Sequence, residues 1–257
     1  MTRTLSALLL MTALSGCAPD ADGGAAPVEA AATTATAPLP VAGRSTVYAP
    51  HGLVATSQPL ASTAALRILE AGGNAFDAAV AASAVLSLVE PHMTGLGGDL
   101  FAIFWSAEEG RMVGLDASGR AGARMTPEQI RADGFERVPY QGPGSVTVPG
   151  AIAGWAALLQ DYGSMSMADV VAPAIALAED GFPVSPIIAR HGQTEEDLVL
   201  EDPGATATYL IDGERGPEPG EWFRNPDFAA SLRMIADQGP SALYGGELGR
   251  RIVEHLD

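Results

Sequence analysis

The chain has 257 residues and a formal net charge of -17, and all 14 of its basic residues are arginine. These arginines gather into no patch, so the electrostatic footprint of a nucleic-acid binder is missing. A hydrophobic content of 47% excludes a disordered tail and suffices for one or two domains, and the single cysteine, Cys17, excludes an internal disulfide or a multi-cysteine metal site.

Residues 1–17 read as a targeting segment. Arg3 supplies a positive start, and Leu5 to Leu14 form a short apolar stretch followed by small residues. That stretch is about half of the ~20 residues a membrane-spanning helix needs. Its ending, Leu14-Ser15-Gly16-Cys17, resembles a bacterial lipobox, in which the cysteine is lipidated and becomes the mature N-terminus. The expectation is a protein anchored through Cys17 and facing the periplasm or the exterior. Ala18 in the next position favours the outer membrane if the host is Gram-negative. The alternative is an ordinary signal peptide with a cysteine nearby. From Ala18 to about Gly43 the chain is mostly Ala, Pro, Thr, Gly and Asp, which predicts a flexible tether over 18–46 and a globular region over 47–257.

The first helix is predicted from about Gln58 to Glu70, capped by Ser57, with Pro59 in its first turn and Gly72-Gly73 ending it. Asn74 and Asp77 form a capping-box pair for a second helix, Ala75 to about Val89. It is apolar nearly all round and so expected to be buried. After the glycine loop Gly95-Leu96-Gly97-Gly98-Asp99, the runs Leu100–Trp105 and Met112–Asp116 predict a β-hairpin buried on at least one face. Ala151, Ile152, Trp155, Leu158, Leu159 and Tyr162 make a helical stripe ending at Gly163. Ser166 and Asp169 start the next helix, which Pro173 should break or kink before Gly181. Asn225-Pro226 opens another, with Phe228, Leu232 and Ile235 on one face, and a last helix runs from Glu247 to Leu256.

The glycine loop lies between a helix and a strand, the reverse of a dinucleotide site, and no Gly-Lys-Ser/Thr follows it. A tight turn with close backbone approach is the better reading. His51, His92, His191 and His255 are scattered without metal-ligand spacing, and His92 beside the glycine loop reads as a hydrogen-bonded structural histidine. Glu108-Glu109 reads as a solvated turn, and Glu195-Glu196-Asp197 as a solvated helix face. Asp116-Ala117-Ser118-Gly119-Arg120-Ala121 closes the hairpin where the chain leaves the sheet. There Arg120 could offer its guanidinium fork to a carboxylate ligand, or simply pair with Asp116 or a helix carboxylate.

Together these segments resemble the γ-glutamyltransferase family. The resemblance is carried by Leu53–Ser57 with Pro59–Ser62, and by Gly72-Gly73-Asn74-Ala75-Phe76-Asp77-Ala78-Ala79. It continues through Val89-Glu90-Pro91 with Gly95–Gly98, Val146-Thr147-Val148-Pro149-Gly150, Leu177–Ser185 and Arg224-Asn225-Pro226-Asp227. It implies an α/β fold, the four-layer αββα sandwich of the N-terminal-nucleophile hydrolases, here represented by its helix-rich N-terminal portion. It also implies a precursor that cuts itself, exposing a threonine that attacks γ-glutamyl amides such as glutathione, with its own α-amine as base and with no cofactor. No catalytic residue falls within this chain on that reading, because the nucleophilic threonine belongs after Asp257.

The family's substrate arginine, which holds an α-carboxylate, lies in an Asp-x-Arg-Glu-x-Ala-Pro string. Anchoring on Asp116 and Ala121 places Ser118 where that arginine belongs, with Arg120 two residues later. Together with Gly97-Gly98-Asp99 in place of an all-glycine run, this is similar to the acylase and amidohydrolase branches. The expected partners are a small γ-glutamyl or other acyl-amide substrate, the chain's own C-terminal small-subunit segment and, through Cys17, a membrane. The leading expectation is a γ-glutamyl amide hydrolase or transferase. The alternatives are an acylase of the same fold and a non-catalytic binding lipoprotein.

Overall fold

Capping chemistry sets the first two helices in the computed structural model, which describes residues 45–256. Cys17 and most of the tether region lie outside the described residues. Helix α1 spans Pro59–Glu70 and α2 spans Ala75–Val89. Ser57 does not cap α1. Pro59 has no N–H to offer, so the first free donor is Leu60, and the longer Gln58 side chain reaches it (Oε1 accepts at 2.5 Å). Ser57 instead donates its hydroxyl to Glu90 Oε2 at 2.7 Å. The capping box of α2 forms as expected: Asn74 Oδ1 accepts from the N–H groups of Phe76 and Asp77, and Asp77 Oδ2 accepts from Asn74 N–H. Ten of the residues from Asp77 to Val89 are buried, so α2 is an interior helix.

The other long helices pack around it. Helix α4 (Ala151–Tyr162), α5 (Met167–Asp180) and α1 all touch α2, and α9 (Pro226–Gln238) packs on α5. Trp155 is fully buried, and its Nε1–H donates to Ser83 Oγ at 3.1 Å, so the largest core side chain leaves no polar atom unpaired. Pro173 does not break α5. The helix is continuous, and Val170, Val171, Ala174 and Ala178 are buried along it, which offsets the one backbone bond that proline removes.

Strands β1 (Leu100–Ser106) and β2 (Arg111–Ala117) pair antiparallel, with Phe101 opposite Asp116, Ile103 opposite Gly114 and Trp105 opposite Met112. Their other face, carrying Leu100, Ala102, Phe104 and Leu115, packs against the core, with α4 touching both strands. The face of Phe101, Ile103, Trp105 and Met112 is uncovered, with these side chains 54–79% exposed. The hairpin turn is tied down rather than simply solvated: Tyr162 Oη donates to Glu109 Oε1 at 2.9 Å, and Arg111 pairs with the same carboxylate. Glu196 also departs from a purely solvated role, accepting from Gly216 N–H at 2.7 Å.

Several short elements complete the chain. They are α3 (Pro127–Ala132), α6 (Pro186–Thr194), α7 (Glu196–Leu200), α8 (Pro203–Tyr209), the two-residue pair β3 (Phe182–Pro183) with β4 (Trp222–Phe223), and α10 (Glu247–Leu256). No helix among the described residues is long and apolar enough to cross a membrane.

Candidate active site

Three chain segments converge where β2 ends. The loop after β2 must leave the sheet beside α4, and Gly119 takes a left-handed conformation (φ 79°) to do so. Its neighbour Val148 donates its N–H to Arg120 O at 2.8 Å, and Ala121 bridges to Thr147. The glycine loop joins from the other side: Gly98 O accepts from both Gly150 N–H and Ala151 N–H at 3.0 Å. A side chain at Gly150 would collide with the Ala117 carbonyl oxygen. The tight turn expected of the glycine loop is present, with Gly98 N–H donating to Gly95 O at 3.1 Å, but side chains at Gly95 and Gly97 would meet open space, and the close approach falls at Gly150 instead.

The convergence leaves a shallow cavity of about 420 Å³. Its walls are the end of β2 (Leu115–Ala117), Gly119 and Arg120, Val148–Gly150, the small-residue face of α4 (Ala153, Gly154, Ala157) and Tyr244. Arg120 lines this space. Ser118 does not: its backbone N–H donates to Asp116 Oδ1 at 3.0 Å, and its side chain lies outside the lining. Asp116 is thus engaged in a local turn with Ser118 and does not pair with Arg120. Among the described residues the Arg120 guanidinium has no hydrogen-bond or ion-pair partner. An exposed cation beside an open cavity is free to meet an anionic ligand. Nearby, Thr147 Oγ1 donates to Asp99 Oδ1 at 3.3 Å, so the acidic residue of the glycine loop is held against the Val146–Gly150 segment.

Tyr244 was not legible as part of this site. Its hydroxyl donates to Pro149 O at 2.5 Å and accepts from Ala153 N–H at 3.3 Å, across sequence separations of 95 and 91 residues. Burial pushes its phenol above the ordinary range, partly offset by the Ala153 N–H. Val148, Pro149 and Tyr244 also border a wider groove of about 1180 Å³ between the 122–149 segment and α10.

Among the described residues His92 has no hydrogen-bond partner of the kind expected. Its ring stacks on that of His191, with centroids 4.4 Å apart. Burial and the neighbouring His191 lower its pKa, against the opposing pull of Glu90 and Glu195. Among the described residues no group of three His, Cys, Asp or Glu side chains is placed to share a metal ion.

The sequence signature of the gamma-glutamyltranspeptidase family matches residues 61–257. The chain belongs to that family. It is 44% identical over 205 residues to the glutathione hydrolase-like YwrD proenzyme of Bacillus subtilis, covering 79% of this chain and 38% of that protein. The cephalosporin acylase of Bacillus halodurans superposes with a TM-score of 0.77 at 42% identity, over 81% of this chain and 40% of that one. The gamma-glutamyltranspeptidase of Helicobacter pylori superposes with a TM-score of 0.73 at 30% identity, over 78% of this chain and 58% of its own. The fold is therefore that of the N-terminal-nucleophile hydrolases, in its helix-rich portion. The chain spans less than half the length of the curated relatives it matches.

Proposed function

We propose that this chain is the large-subunit portion of an enzyme that cleaves γ-glutamyl amide bonds, in glutathione and related compounds. The nucleophile is a threonine in sequence that follows Asp257 and is released by self-cleavage. In that reaction the threonine hydroxyl attacks the amide carbonyl while the threonine's α-amine takes the hydroxyl proton. The acyl–oxygen ester forms, and the departing amine leaves with a proton. Water or an amino acid then resolves the ester. The observation that carries the reading is the Arg120 guanidinium, unpartnered among the described residues, in the wall of the cavity beside β2 and available to hold a substrate carboxylate. The apolar sheet face of Phe101, Ile103, Trp105 and Met112 supports a further segment of the protein lying against it.

A second reading, an acylase whose acyl group lacks the α-amine and α-carboxylate, is favoured by Ser118 at the family's arginine position and by the 42% identity to a cephalosporin acylase. The comparison that separates them uses the intact protein as wild type, Arg120→Ala and Ser118→Arg, on a γ-glutamyl anilide and a glutaryl anilide. Loss of a charged contact to the α-carboxylate is worth about 2–4 kcal/mol, roughly 30- to 1,000-fold in kcat/KM on the γ-glutamyl substrate. Arg120→Ala having no effect on a wild type that prefers the γ-glutamyl substrate overturns the assignment of Arg120. Wild-type preference for the glutaryl substrate supports the acylase reading. A non-catalytic lipoprotein would cleave neither.

The lipid anchor belongs to the same proposal. Cys17→Ser should move the protein from the membrane fraction to the soluble fraction, with the lipid mass lost from the mature N-terminus.

A further inference from the structure

Helix α4 begins without a cap of its own. Gly150 stands at its N-cap with no side chain to offer, so the first N–H groups of the helix need acceptors from elsewhere. Gly98 O serves Gly150 and Ala151, and Tyr244 Oη serves Ala153. The same Tyr244 hydroxyl donates to Pro149 O, one residue before the N-cap. Pro149 follows Val148, whose N–H holds Arg120 O. One phenol thus ties the start of α4 to the segment on which the Arg120 loop hangs.

We propose that Tyr244 is a positioning residue: through Pro149 and Val148 it fixes the Arg120 loop so that the guanidinium meets a substrate carboxylate at the cavity. This rests on the reading of Arg120 given above. The hydroxyl is suited to the task, because it must be a donor to one backbone group and an acceptor from another at once, which a neutral phenol does and a phenolate cannot. The backbone that carries it is held independently of those two bonds: Ala242 and Leu243 just before it are buried in the core cluster. Removing the hydroxyl should loosen the loop without unfolding the protein.

The test is Tyr244→Phe in the intact protein, alone and combined with Arg120→Ala, assayed on a γ-glutamyl 4-nitroanilide. The expected result is a KM raised about five- to tenfold with kcat within about twofold, the effect of losing neutral hydrogen bonds at one remove from the substrate. In the Arg120→Ala background the added change should shrink below about twofold, since both substitutions remove the same contact. Hydrogen exchange at the Val148 and Ala153 amides should quicken by a similar factor, about five- to tenfold. An undiminished KM effect in the Arg120→Ala background, or unchanged exchange at Val148, overturns the proposal. Wild-type KM in Arg120→Ala alone overturns the Arg120 reading and the substrate half of this one. The Val148 exchange rate then still decides whether Tyr244 holds the loop.

Discussion

Asp77 and Ser164, 87 residues apart, are joined through both oxygens of the carboxylate: the Ser164 hydroxyl donates to Oδ2 at 2.6 Å and its N–H to Oδ1 at 3.0 Å. Met165 N–H donates to Oδ1 as well, at 3.1 Å, so one fully buried side chain caps α2 and anchors the turn between α4 and α5. Asp77→Asn puts an amide donor where two or more donors already point. The expected loss is about 3 kcal/mol, a fall of roughly 3–5 °C in melting temperature, measured by calorimetry on the intact protein. A melting temperature within about 2 °C of wild type would show that the network re-forms around the amide.

The same carboxylate fixes the acid side of the stability curve. Burial pushes Asp77 up, but the Ser164 hydroxyl and the N–H groups of Asn74, Met165 and Ser164 outweigh it and hold it below the ordinary value. Glu221 goes the same way, brought from 4.5 to about 2 by the Arg215 guanidinium and Glu218 N–H. A carboxylate with a lowered folded-state pKa contributes stability that is present above its unfolded value and is lost as pH falls through the folded value. Urea unfolding should therefore give a stability that slips as pH falls below about 6.5, where the unfolded His92 takes up a proton that the folded ring resists, and declines more steeply from near pH 4, where the carboxylates are protonated. Asp77→Asn should make that decline shallower.

Gly150 can be tested as a packing constraint. Its missing side chain lets the Ala117 carbonyl approach, so Gly150→Ala should cost about 3 kcal/mol and displace the Arg120 loop. Activity on the anilide substrates should fall more than the same substitution at the unconfined Gly110 lowers it, with Gly110 at the far turn of the hairpin and nothing near it but a left-handed backbone.

The uncovered hairpin face should make residues 45–257 self-associate when expressed alone. Ile103, 79% exposed between Phe101 and Trp105, is the position to change. Ile103→Lys should raise the monomer fraction of that fragment in size-exclusion chromatography with light scattering, and in the intact protein should impair assembly. An equally monomeric wild-type fragment would count against the face being a buried surface.

Most of the long elements could be read from the sequence because their signals are local. The Asn74–Asp77 box, the stripe from Ala151 to Tyr162 and the Ser166–Asp169 pair each lie within one or a few helical turns. The short helices α3, α6 and α8 were missed although each opens on a capping residue followed by proline: Thr126-Pro127, Ser185-Pro186 and Asp202-Pro203. Their apolar periodicity is too brief to show. At the site, Arg120 was legible from its place at the end of a strand. Tyr244 was not, because its meaning lies in two backbone groups more than 90 residues earlier. The Ser57 cap failed for a nearer reason: Pro59 moved the first available donor to a residue that Gln58 reaches better.

The long span between Tyr244 and Pro149 also has a consequence in time. During synthesis the glycine loop, β2 and the start of α4 leave the ribosome well before the residue that ties them together. At about 5–20 residues per second, the gap between the two partners lasts roughly 5–20 s. Throughout that interval the start of α4 lacks one of its acceptors, and the Arg120 loop is tied only to the Thr147–Val148 segment, without the Tyr244 hydroxyl behind it. The cavity wall is therefore among the last parts of this region to be completed on the nascent chain, and a ribosome stalled before residue 244 would display an unfinished site.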